Sequence, residues 1–180
     1  MAAKPLPSQE VLNQLFLYDA QTGNLLWRHR PDLSPQWNGR YAGKPALSCV
    51  ASSNGYPVGR IFKRNVLAHR VIWKMVHGNE PKQIDHANHD KRDNRLINLR
   101  AVDHAENMKN IKRRCDNTTG ETGVYRHEKT GKWTAQVVIE GRSKHLGLFA
   151  NFDDAVEARR LAALDHGYHK NHGASFASKS

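Results

Sequence analysis

The 180-residue sequence predicts an α+β protein. Three observations point to that class. Short apolar runs separated by Gly, Asn or Lys-Arg turns recur along the chain, which is the pattern of hairpins. Helical spacing is confined to a few stretches, near 11–16, 69–77, 104–112 and from 152 onward. After about residue 120 the pattern changes to three strands and then one helix. A hydrophobic fraction of 38% supports a folded core, and 25% charged residues is ordinary for a water-facing protein. The length allows one domain, or two to three small ones.

The elements follow in order. Val11, Leu12, Leu15 and Phe16 fall at helical spacing. Leu17-Tyr18 and Leu25-Leu26-Trp27 then flank a Gly/Asn turn over 19–24, a first hairpin. Residues 28–56 are rich in Pro, Gly, Ser and Asn and read as irregular structure or a long surface loop. The runs 56–62 and 66–68 form a second hairpin with Lys63-Arg64-Asn65 as its turn. Residues 69–77 make a short helix ended by Gly78, and Gln83-Ile84-Asp85 a strand. A polar loop and the short apolar run 96–99 come next. Asp103 with Glu106 three positions on resembles a capping box, so a helix is expected over 104–112.

Beyond a basic, then polar linker, strands are expected at 123–127, 133–139 and 144–149. Asn151 caps a final helix. Its Ala155, Ala158 and Ala162 would let it lie close on the sheet. The chain after about 166 reads as frayed.

Net charge is +11, and it is unevenly placed: residues 51–115 carry +8, against +2 before them and +1 after. A polyanion is the natural partner of such a segment, because each neutralised phosphate releases condensed counterions. No apolar run approaches the roughly 20 residues that span a bilayer. The start, Met1-Ala2-Ala3-Lys4-Pro5, lacks the apolar stretch of a signal peptide, so no membrane partner and a cytoplasmic setting are expected. Cys49 and Cys115 form no CxxC pair, which points to two free thiols and to no zinc site.

The chemistry concentrates in the middle. Phosphodiester hydrolysis needs an activated water and charge stabilisation at the phosphorus and the leaving oxygen. One hard cation with oxygen ligands supplies the second, and a neutral His can take the proton. Asp85 beside His86 offers one metal oxygen and one base, provided a bend overcomes the alternation of strand side chains. Asn107 on the following helix can return an amide oxygen to the same metal. Asn98, between them, can hydrogen-bond the loop around His86. His69 either borders the site or is a packed structural histidine. Arg70, Arg95 and Arg100 are either phosphate contacts or solvated surface charges.

The ordered set 69–73, Ile84-Asp85-His86, 93–100 and Glu106-Asn107-Met108 resembles the HNH (His-Me finger) nucleases of the phage and intron homing type, over about residues 60–110. The resemblance implies a ββα-metal core with His86 as general base. Asp85 and Asn107 would be ligands to one divalent ion, Mg²⁺ first with Mn²⁺ as alternative, and Asn98 the supporting central Asn. The family usually has Gly in the turn after the His, where this chain has His89, a residue type that tolerates the left-handed conformation better than most.

The C-terminal run Gly123-Val124-Tyr125, Gly131–Ala135, Leu146–Phe149 and the Ala-rich helix from Phe152 resembles the AP2 DNA-binding domain, a three-stranded antiparallel sheet on one helix. The resemblance implies a sheet face in the major groove, here carrying Tyr125, His127, Thr134, Gln136, Val138, Ser143 and His145. Trp133, Ala135, Val137 and Ile139 form the core. Arg126, Arg142 and Lys144 alternate to the other side or the edges but remain candidate DNA contacts. Weak, tolerant binding is expected, with a protein-contact module as the alternative.

The expected organisation is an N-terminal β-rich segment (1–59), a nuclease core (60–112), a linker (113–120) and a DNA-positioning module (121–180). The expected function is double-stranded DNA cleavage, by nicking as a monomer or across both strands as a homodimer, in a phage or mobile-element protein. The rivals are a non-catalytic DNA-binding regulator and a protein that binds or cuts RNA.

Overall fold

A computed structural model describes residues 5–111 and 113–173. It is a mixed α+β architecture of small antiparallel sheets, and its contacts divide the chain into two units, Met1–Val102 and Asp103–Ser180.

In the first unit, Ser8 caps helix α1 (Gln9–Leu15) by accepting a bond from the Val11 N–H. The helix buries Leu12 and Leu15. Strands β1 (Phe16–Asp19) and β2 (Asn24–Trp27) form the first hairpin, in the register Phe16↔Trp27 to Asp19↔Asn24. The stretch expected to be irregular is instead partly ordered. It holds helix α2 (Pro35–Tyr41) and the two-residue strands β3 (Pro45–Ala46) and β4 (Cys49–Val50). Ser34 accepts from the Trp37 N–H at 3.2 Å and Pro35 opens the first turn, where its missing N–H costs nothing. Trp37 then packs edge-on against Trp27, ring centroids 5.7 Å apart. A seven-residue helix is too short to show the periodicity that composition masked.

Strands β5 (Pro57–Ile61) and β6 (Arg64–Leu67) pair as Ile61↔Arg64. The turn is therefore the two residues Phe62-Lys63, not 63–65. Both have positive φ, 47° and 65°, the geometry that matches strand twist in a two-residue hairpin but that no Gly or Asn announces here. Helix α3 (Ala68–His77) buries Val71, Ile72 and Met75 on one stripe and ends at Gly78, whose φ of 76° lets its N–H reach the Lys74 carbonyl. Leu12, Phe16, Val71, Ile72 and Leu99 form the heart of this unit's core, each contributing roughly 1.5–3 kcal/mol by leaving water. Strand β7 (Gln83–His86) pairs antiparallel with β8 (Leu99–Val102), and one 3₁₀ turn, Leu96–Asn98, leads into β8.

The second unit begins with α4 (His104–Met108). Its capping box is complete: Asp103 accepts from the Glu106 N–H at 2.8 Å and Glu106 accepts from the Asp103 N–H at 3.2 Å. The helix is shorter than expected. The N–H groups of Lys109 and Asn110 turn back on carbonyls three residues earlier, which tightens and ends it; Lys112, where the expected helix closed, lies outside the described residues. Strands β9 (Val124–Arg126), β10 (Trp133–Ile139) and β11 (Arg142–Phe149) form one antiparallel sheet with β10 central. Helix α5 (Phe152–Asp165) packs on it over Val124, Ala135 and Ala155, with Trp133, Phe149 and Phe152 around them.

Two expectations change here. The fully buried positions of α5 are Ala155 and Arg159, while Ala158 and Ala162 are only half-buried. Residues 166–173 are also tied down. The Tyr168 hydroxyl donates to the Val138 carbonyl at 2.5 Å, and the His169 and Gly173 N–H groups donate to the Lys109 and Ile111 carbonyls. The frayed end expected beyond them falls on 174–180, outside the described residues. Among the described residues no helix is long and apolar enough to cross a membrane.

Candidate active site

The β7–β8 ribbon delivers the central pair. In the register Asp85 lies opposite Arg100 and His86 opposite Leu99; His86 is the last residue of β7, where strand alternation ends and the chain turns back on its carbonyl. Asp85 is ion-paired with Arg100 at 2.5 Å. His86, the last residue of the strand, is only 3% exposed. Its Nε2 lies 3.0 Å from Asn94 Oδ1. An amide oxygen only accepts, so with this amide orientation Nε2 carries the ring proton and the neutral ring keeps its lone pair on Nδ1.

Electrostatics favour that neutral ring. Burial pushes the His86 pKa below its ordinary 6.5, and the Asn94 bond and the charges of Asp85, Asp90 and Asp93 only partly oppose it. His69, on the first turn of α3, meets His86 edge-on with ring centroids 5.2 Å apart. It is depressed to about 3, by burial first and then by the neighbouring His86 and Arg70 charges. Tyr56 lies against both rings, at 4.9 Å from His69 and 5.8 Å from His86. Lys91 sits over the Tyr56 ring and donates to the Asn54 carbonyl at 2.8 Å.

Asn98 organises the loop that returns from His86. Its Oδ1 accepts from the Asn88 N–H at 2.9 Å, its Nδ2 donates to the Asp93 carbonyl at 2.7 Å, and its own carbonyl accepts from the Ala87 N–H at 2.9 Å. His89 takes the left-handed conformation, φ 65°, and its N–H returns to the His86 carbonyl.

The loop is also held from outside. The Tyr18 hydroxyl donates to the Asn94 carbonyl at 3.1 Å. Gly23, φ 77°, comes so close that a Cβ there would stand 2.6 Å from the Arg95 nitrogen. The first hairpin is thus a buttress for the segment that carries Asn94.

Asp85, His86 and Asn98 therefore share one unit, and Asn107 lies on α4, in the other. The arginines expected at phosphates all have partners within the chain. Arg70 donates to the Pro81 carbonyl, Arg95 forks onto Asp93, and Arg100 holds Asp85. On the outer face of the β9–β11 sheet, Tyr125 lies opposite Thr134, Gln136 opposite His145 and Val138 opposite Ser143. Thr134 is buried among them, and His127 is bonded to Thr130. Arg126, Arg142 and Lys144 lie opposite the inward residues Trp133, Ile139 and Val137, yet stay exposed at the sheet's ends.

Sequence reasoning assigned no role to Asn94 or Tyr56. A buried polar side chain looks like any loop Asn until the fold places it, though the run Asp93-Asn94-Arg95 was within the matched motif.

The donor set suits a hard cation. Among the described residues no three His, Cys, Asp or Glu side chains gather as a metal cage. An Mg²⁺-type ion needs no cage, since it keeps water and phosphate oxygens and takes only one or two protein ligands. The Asp85 carboxylate and an amide oxygen such as that of Asn107 are donors of this kind.

Residues 66–109 match the family model described as HNH endonuclease. The match supports an HNH nuclease, a metal-using enzyme class with DNA as substrate. No curated protein and no solved structure matches the chain.

Proposed function

We propose that this chain is a metal-dependent DNA endonuclease in which His86 is the general base. The observation that carries the reading is the buried, neutral His86 ring, bonded through Nε2 to Asn94 at the end of β7, inside the segment that matches the HNH model. A divalent cation at the Asp85 carboxylate would offset the charge that builds on the phosphate and on the leaving oxygen.

The rest falls to the chain's own groups. His86 Nδ1 takes the proton from the attacking water as its oxygen bonds to phosphorus and the bond to the leaving oxygen breaks. Asn94 holds the ring in the tautomer that leaves Nδ1 basic, and Asn98 fixes the loop that positions both. Arg100 keeps Asp85 charge-balanced. The second unit, similar in pattern to AP2 domains, would position duplex DNA through Tyr125, Gln136 and His145, with Arg126, Arg142 and Lys144 at its edges. His127 would support that face from the β9–β10 turn.

A plasmid-nicking assay tests the reading. Wild-type protein with Mg²⁺ should convert supercoiled to nicked or linear DNA, and chelation should stop it. DNA binding without metal-dependent cleavage would favour the regulator reading instead, and cleavage confined to RNA would replace the substrate.

A further inference from the structure

One charge in the second unit stands where an apolar side chain is expected. Arg159 lies one turn after the buried Ala155 on the inner stripe of α5 and is 8% exposed. A guanidinium does not give up its proton near neutral pH, so burying it is costly unless an anion answers it. Burial pulls its pKa down from the ordinary value, in keeping with that cost.

The surroundings are built around this cation without neutralising it. Its guanidinium carbon lies over the Tyr168 ring, 5.1 Å from the centroid, a contact that engages the charge without using up the N–H donors. Its Nε is buried with no hydrogen-bond partner among the described residues. Gly123, φ 79°, makes the room: a Cβ there would stand 2.8 Å from that Nε. Glu121 acts on Arg159 through space but forms no ion pair with it, whereas the adjacent Arg160 pairs with Glu157 at 2.9 Å. The Thr122 hydroxyl is a second buried polar group without a partner among the described residues. Arg159 and Thr122 both line one cavity of about 660 Å³, with Tyr168 and Lys170 also on its walls.

We propose that this cavity binds a phosphate-type oxyanion, with the Arg159 guanidinium as the fork and the Thr122 hydroxyl as a further donor. Glu121 and Asp153 on the same walls disfavour a multiply charged ion. The ligand is therefore singly charged, as in a DNA phosphodiester or free dihydrogen phosphate. This site is separate from the His86 centre and does not depend on cleavage activity.

The test is thermal unfolding of the full chain in sodium chloride and in inorganic phosphate at equal ionic strength. Wild type should gain about 2–4 °C more from phosphate than Arg159→Met does. Phosphate strengthens folding of any protein by exclusion from its surface, so an equal gain in both proteins would overturn the site. If Arg159→Met does not fold, Thr122→Val serves in its place: it should lose part of the gain, and an undiminished gain would likewise overturn the proposal. The source of the anion is read from duplex binding. A slope of log affinity on log salt that is shallower by about 1 in the variant assigns the site to a DNA phosphate. An unchanged slope with the phosphate-specific gain intact assigns it to the free ion.

Discussion

His86 and His69 are neighbours under the same burial, and each makes its own pH prediction. A base must be neutral to work, and the His86 pKa lies below 6.5. Cleavage should therefore persist further into acid than an ordinary histidine would permit. The Asn94 bond favours the charged ring, so Asn94→Ala should move the acid limb of the pH–rate profile lower still, while slowing the reaction by about 10²-fold through loss of the tautomer lock. A slower enzyme with an unmoved limb would mean that Asn94 serves folding alone. For His69 the linkage concerns stability. Its folded pKa of about 3 lies below its unfolded value, so the unfolded chain binds the extra proton between them. Stability is then full above about pH 6.5 and falls as the pH drops toward 3, by about 2 kcal/mol at pH 5. Urea unfolding of wild type and His69→Phe at both pH values reads this, and the variant should show a smaller loss.

At the scale of elements, the hairpin β1–β2 is the support that sequence did not announce. Gly23→Ala would place a methyl against the Arg95 backbone at a φ that alanine resists. It should cost about 1–3 kcal/mol in chemical denaturation and reduce cleavage as well, because the displaced segment carries Asn94. Loss of stability with a normal rate in the remaining folded protein would separate the hairpin from the site. Removing the cap of α4 by Asp103→Ala should cost about 1 kcal/mol, read by the same method.

The helices with caps and the strands with alternation were legible before the fold: Asp103 and Glu106 mark a helix start, and Trp133 to Ile139 mark a two-faced strand. Helix α2 was not, because seven residues in a Pro- and Ser-rich stretch carry too little period. The Phe62-Lys63 turn was not, because its positive φ values come from the pairing of β5 with β6 and not from its side chains. Asp85, His86 and Asn98 were legible as an ordered motif. The Asn94 bond and the rings of Tyr56 and His69 around His86 were not, since they depend on long-range packing that no local pattern encodes.

Across the whole molecule, charge and chemistry are concentrated in the same stretch. The excess of +8 over residues 51–115 spans the His86 segment along the chain, so DNA affinity should fall steeply with salt and depend mainly on that stretch. Neutralising Arg142 and Lys144 together should lower the salt slope by no more than about 2. A collapse of binding in that double variant would move the main phosphate grip to the C-terminal sheet.

The central claim is that His86 activates the water. The direct measurement is the single-turnover cleavage rate of a labelled duplex with saturating Mg²⁺, for wild type and His86→Ala, at matched DNA occupancy. The account predicts a loss of about 10²–10⁴-fold in the variant with binding retained. An equal rate in the two proteins would contradict it.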